Sequence, residues 1–198
     1  MVNEYIHYRL PLRLINSYTW ANLIPPARAI LPVIGIHCSN KNNKAWPGIK
    51  LISKLSGYKN LVYVRAGIDD LIKNNLMIRE KEGRRNNYFL INNAIRKTGS
   101  YFPVFKDMLL RGCWSGLTPG ERSLYIVLGV KAVINDPEVL DSYFYAIGDI
   151  YKVKKFIKWS GICRQSFYNS YRGLYEKGFI YFKEEDYYKY GIYVRPLK

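Results

Sequence analysis

Apolar residues recur at helical spacing in two stretches that match each other, WANLIPPARAILPVIG from Trp20 to Gly35 and WSGLTPGERSLYIVLG from Trp114 to Gly129. At a constant shift of 94, from Trp20 to Trp114, they share Trp, Leu, Pro, Arg, Val and Gly and pair Ile30 with Leu124. Ile30, Val33 and Ile34, and their counterparts Leu124, Val127 and Leu128, trace one face of a buried helix in each stretch. Pro25 or Pro26 and Pro119 suit the first helical turn, where a missing N–H costs nothing, and Thr118 suits the N-cap of the second copy. Pro32 predicts a kink in the first. A single repeat of this length is domain-sized and does not point to a solenoid.

The pattern continues in parallel on either side. Each half opens with an extended, proline-containing piece, YRLPLRLI at Tyr8 and YFPVFKDML at Tyr101. After the shared stretch the second copy carries additional residues around 135–149, predicted to be a surface insertion or an extra helical turn. Both halves then show a short amphipathic helix (Ile49, Ile52, Leu55; Val153, Phe156, Ile157) ending in Ser-Gly at Gly57 and Gly161. Glycine there lets the chain take a left-handed conformation and turn sharply into the next helix. That helix has core positions Val64, Ile68 and Leu71 in the first copy and Phe167, Tyr171 and Leu174 in the second. Stops at Asn74-Asn75 and Gly178 lead into two alternating strands and a hairpin in each half.

Helix, helix-turn-helix and hairpin is the order of a winged-helix domain, which each half resembles over nearly its whole length. The tandem arrangement resembles the replication initiators of plasmids, phages and integrating elements. The resemblance implies an α+β fold, mostly α with small β-hairpin wings: two tandem winged-helix domains, residues 1–95 and 96–198, joined near 93–100. A winged-helix transcription regulator is the alternative within the same fold.

Charge fits such a reading. The net charge of +16 implies an anionic partner, nucleic acid or an acidic membrane surface. Residues 1–98 hold 16 Lys and Arg against 5 Asp and Glu, net +11, and the remainder 15 against 10, net +5. The most apolar run, residues 20–38, is broken by Arg28 and three prolines and cannot be an ordinary membrane span. Three scattered cysteines and no leader-like N-terminus point to a cytoplasmic protein without disulfides. Two histidines and no glycine-rich phosphate loop leave no metal, no cofactor and no catalytic cluster to expect. A DNA-processing enzyme is therefore disfavoured.

The expected partner is double-stranded DNA with A·T-containing repeats. On the second of the paired helices Gln165, Asn169, Arg172 and Glu176 face away from the core, flanked by Ser166 and Tyr168, with Arg164 in the first turn. Amides bond adenine and guanidinium bonds guanine or phosphate in the major groove. On the first copy's helix the outward set is Val62 and Ala66, with Tyr63 and Arg65 beside them, and small apolar groups suit thymine methyls. Asp69 and Asp70 must lie out of the groove. Asn60, after Lys59, is either a helix cap or a phosphate contact. Lys50 and Lys54, and Lys154, Lys155 and Lys158, suit phosphates flanking the groove or form an ordinary solvated face. Arg84, Arg85 and Asn86 tip the first hairpin and suit a narrow minor groove. The second hairpin, KEEDYY from Lys183 to Tyr188, is acidic at its tip and is expected to face solvent, the other half or a protein. A replication protein is the expected partner for that tip or for residues 135–149.

Overall fold

The chain runs twice through one series of elements. The computed structural model describes residues 7–39, 42–83, 85–91, 101–131, 133–134, 142–144, 150–186 and 189–194. The first series is β1 (His7–Pro11), α1 (Leu12–Asn16), α2 (Thr19–Asn22), α3 (Pro25–Ile36), β2 (Lys44–Ala45), α4 (Ile49–Ser56), α5 (Leu61–Lys73), β3 (Met77–Glu82) and β4 (Arg85–Leu90). The second is β5 (Tyr101–Phe105), α6 (Lys106–Leu110), α7 (Pro119–Lys131), β6 (Val133–Ile134), β7 (Ser142–Phe144), α8 (Ile150–Ser160), α9 (Arg164–Glu176), β8 (Ile180–Asp186) and β9 (Lys189–Val194). The fold is mixed, with helices packed beside small antiparallel sheets.

The opening strands of the two halves pair with each other. β1 runs antiparallel to β5 with Arg9 opposite Pro103, Tyr8 opposite Val104 and Leu10 opposite Phe102. At the repeat shift of 94, Arg9 and Pro103 are equivalent positions, as are Tyr8 and Phe102. Equivalent strands that cross at equivalent residues define a local two-fold axis, the geometry of a symmetric dimer's interface, here within one chain. Both strands are edges of a two-stranded ribbon, so Pro11 and Pro103 remove few ladder bonds.

Contacts across this axis are reciprocal. Trp20 Nε1 donates to Ser123 Oγ at 3.1 Å, and Trp114 Nε1 donates to the Ala29 carbonyl at 3.0 Å. Ala29 and Ser123 are themselves equivalent at the shift of 94. Within each half, a glycine of the central helix lies beneath a ring of the opening strand, Gly35 beneath Tyr8 and Gly129 beneath Phe102, each so close that a Cβ would overlap the ring. The turn glycine of each helix pair docks on the opposite half, Gly57 against Ser115 and Gly161 against Ala21. Both indoles are fully buried in one apolar core that takes in α3, α7 and the backs of α5 and α9.

Two arginines are buried beside that core without a carboxylate on their guanidinium groups. Arg28 donates to Ser123 Oγ at 2.7 Å and to the Ser160 carbonyl, at the end of α8. Arg122 donates to the Trp114 and Ser115 carbonyls, both at 2.9 Å. Burial pulls both pKa values down, and Tyr58, with Asp70 for Arg28 and Glu121 for Arg122, offsets part of that shift.

The central helices start differently. Thr118 and Glu121 form a capping box: the Glu121 N–H donates to Thr118 Oγ1 at 3.3 Å and the Thr118 N–H to Glu121 Oε2 at 2.7 Å. α3 instead has the Ile24 N–H donating to Asp70 Oδ2 at 3.0 Å, a cap supplied by α5.

α3 continues through Pro32 as one helix, buried from Pro26 to Ile36. Two expectations are corrected. Ser142–Phe144 form a strand beside β9, and not an extra helical turn; residues 135–141 and 145–149 lie outside the described residues. Each expected hairpin is extended by at least one further strand, giving the orders β2-β4-β3 and β6-β7-β9-β8.

Because the core is shared, denaturant should unfold both halves in one transition, with tryptophan fluorescence and far-ultraviolet circular dichroism coincident. Gly35→Ala and Gly129→Ala should each lower stability by about 1–3 kcal/mol through overpacking against Tyr8 and Phe102.

Candidate functional site

α4 and α5 are joined through Gly57, whose φ of 77° places it in the left-handed region, and the turn closes at Asn60. The Asn60 side chain accepts from the Val62 N–H at 2.9 Å and so caps α5. α5 buries Val64, Gly67, Ile68 and Leu71, and Gly67 lets it approach the backbone of Pro26 and Ala27 on α3. Its front is consequently fixed. Val62 (62% exposed) and Tyr63 (54%) stand out at the start, followed by exposed Arg65 and Ala66. An aliphatic and an aromatic side chain this open to water, side by side, make an apolar contact surface.

The acids on α5 are occupied. Asp69 pairs with Arg79 of β3 at 3.2 Å, and Asp70 receives both the Ile24 N–H and the Asn74 side-chain amide. Neither interrupts the front near Val62. Lys50 and Lys54 on α4 and Lys59 in the turn are all exposed around the same helix pair.

The second pair repeats this with other chemistry. Gly161 (φ 62°) ends α8, and a turn one residue shorter than the first, closing at Cys163 instead of Asn60, leads into α9. Phe167, Ser170 and Leu174 form the buried back, with Ser170 against Gly120 of α7. Tyr171, expected in the core, is half-buried and packs against it, its ring stacked on Phe167 with centroids 5.9 Å apart. The front carries Arg164, Gln165, Tyr168, Asn169 and Arg172, all exposed. Gln165 Nε2 donates to Asn169 Oδ1 at 3.2 Å, so the two amides, one turn apart, stand as a coupled pair. The Arg164 guanidinium lies 5.8 Å from the Tyr168 ring centroid, near enough for cation–π attraction. Ser166, expected to flank this front, is half-buried with its hydroxyl 3.2 Å from the Cys163 sulfur; it shapes the start of the helix.

Lys154, Lys155 and Lys158 are exposed on α8, and the Lys158 ammonium sits 4.7 Å from the Tyr18 ring centroid. Arg85 and Asn86 are exposed at the start of β4, whereas Arg84 lies outside the described residues, as does the tip at 187–188 of the second hairpin. Beside the first tip, the Glu82 carboxyl is held below its ordinary range by the Asn87 amide, 2.8 Å away, and by Lys44. The most exposed aromatic residue described was not foreseen in the sequence. Trp46, 60% exposed, stands just before α4, and the only signal for it was the Trp-Pro-Gly that leads into that helix.

Among the described residues no helix is long and apolar enough to cross a membrane, and no three His, Cys, Asp or Glu side chains gather as metal ligands. No family model matches the sequence, and no curated protein or solved structure matches it either.

The cysteines should report the local environment at α9. Ser166 and backbone N–H groups at the helix start lower the pKa of the exposed Cys163 thiol, while burial pushes Cys38 up to about 11. At neutral pH iodoacetamide should therefore alkylate Cys163 well before Cys38, read by peptide mass spectrometry.

Proposed function

We propose that the chain binds double-stranded DNA sequence-specifically, each half acting as a winged helix-turn-helix unit with α5 or α9 as its reading helix. One observation carries this reading: two helices of equivalent position, each held by a buried back and a turn glycine docked on the opposite half, present fronts suited to base edges. The amides of Gln165 and Asn169 suit adenine, and Val62 and Ala66 suit thymine methyls. Lysines on the preceding helices, with Arg164 and Arg85, suit phosphates on either side. The net charge of +16 supports a polyanionic partner.

The biological setting we propose is replication initiation at the origin of a mobile element, on the strength of the tandem arrangement. The acidic second hairpin and residues 135–149 are then the places for a replication partner. Melting of duplex beside the bound site is the activity that separates an initiator from a transcription regulator with the same contacts.

Binding to duplex DNA should weaken steeply with salt, with a log–log slope of about −5 to −7 if five to eight basic groups neutralise phosphates. Gln165→Ala with Asn169→Ala should relax sequence preference, while Arg84→Ala with Arg85→Ala should weaken all duplexes alike. A slope near zero in fluorescence anisotropy titrations would remove DNA as the partner.

A further inference from the structure

Resting on that reading, we infer that the DNA target is an inverted site with unlike arms. α5 occupies one arm and α9 the other, the arms run head to head about the axis between Arg9 and Pro103, and a bound chain therefore has a direction along the duplex.

The orientation follows from the axis. β1 and β5 cross at equivalent residues. The bonds from Trp20 to Ser123 and from Trp114 to Ala29 are exchanged by the same operation. So are the seats of Gly57 on Ser115 and Gly161 on Ala21. These last contacts matter most, because they anchor the turns from which α5 and α9 emerge and tie both reading helices to one two-fold relation. A duplex has two-fold axes of its own perpendicular to its length. A two-fold pair of readers engages one duplex by aligning the axes, and their half-sites are then inverted. A direct repeat needs readers related by translation along the helix. Reaching that here would break the ribbon register, both indole bonds and both glycine seats together.

The unlikeness follows from the fronts. Val62, Tyr63 and Ala66 on α5 offer apolar contact, whereas Gln165 and Asn169 on α9 offer a hydrogen-bonding pair, and the turns before them differ by one residue. A homodimer on a palindrome is the same read from either end. This chain on its site is not, so whatever assembles on it is placed to one side.

The test uses the full chain and randomised duplexes, with selection of bound sequences followed by phosphate ethylation interference on a selected duplex. Interfering phosphates should form two patches on opposite strands, related by a central dyad. Reversing one arm in place should weaken binding about a hundredfold or more, because several base pairs then mismatch. Gln165→Ala with Asn169→Ala should relax one arm only, and Val62→Ser with Ala66→Ser the other; all four residues are exposed, and an unchanged thermal transition checks that each variant is folded. Patches repeated by translation on the same strand, a single patch, or indifference to arm reversal would overturn the inverted site while leaving DNA binding intact. Absence of salt-dependent binding to any duplex would overturn both this inference and the function it rests on.

Discussion

Each half of this protein buries one tryptophan whose N–H is given to the other half. Trp20 and Trp114 are fully buried, and a buried indole needs an acceptor, since leaving the N–H unmet costs about 1–3 kcal/mol. The acceptors, Ser123 and Ala29, belong to the opposite central helix. Neither half can satisfy its own core without its neighbour. The segments that carry these tryptophans also carry Ala21 and Ser115, on which the turn glycines sit, so the same exchange that closes the core sets the position of α5 and α9.

The two halves keep this frame while solving its details differently. Where α5 crosses α3 the small residue is Gly67 on the outer helix, and where α9 crosses α7 it is Gly120 on the inner one, facing Ser170. The backbone approach is kept and the side of the missing side chain is swapped. Arg28 lies on a serine hydroxyl and a helix-end carbonyl, and its equivalent Arg122 on two loop carbonyls. In each case carbonyl or hydroxyl dipoles meet a guanidinium whose hydration has been removed, and the position is specified more by geometry than by net attraction.

Much of this was legible in the chain. The Trp-to-Gly repeat, the Ser-Gly turns and the spacing of Val64, Ile68 and Leu71 each carry a local rule, periodicity or left-handed glycine, that needs no partner to operate. The fronts of the paired helices followed by subtraction once the backs were known. What stayed hidden depends on residues far apart in sequence. Nothing local to Tyr8 announces that it covers Gly35, or that its strand pairs with residues 101–105. The two-residue strand β2 is too short to leave a pattern, and Ser142–Phe144 is recognisable as a strand only because β9 lies beside it. Asn60 was ambiguous because a cap and a phosphate contact favour the same residue type; its bond to the Val62 N–H establishes the cap.

Symmetry of the frame and asymmetry of the fronts have one common source. Trp20, Gly57 and their counterparts answer to the opposite half, so a change at either is felt on both sides of the axis. The exposed positions Val62, Ala66, Gln165 and Asn169 answer to nothing inside the molecule beyond the single amide pair. A fold built in this way can alter either front without disturbing the other or the angle between them. Two identical chains joined by the same interface would have to change both at once. Covalent duplication therefore supplies the frame of a dimer with two surfaces free to diverge, and the contrast between an apolar front on α5 and an amide front on α9 is the form that freedom takes here.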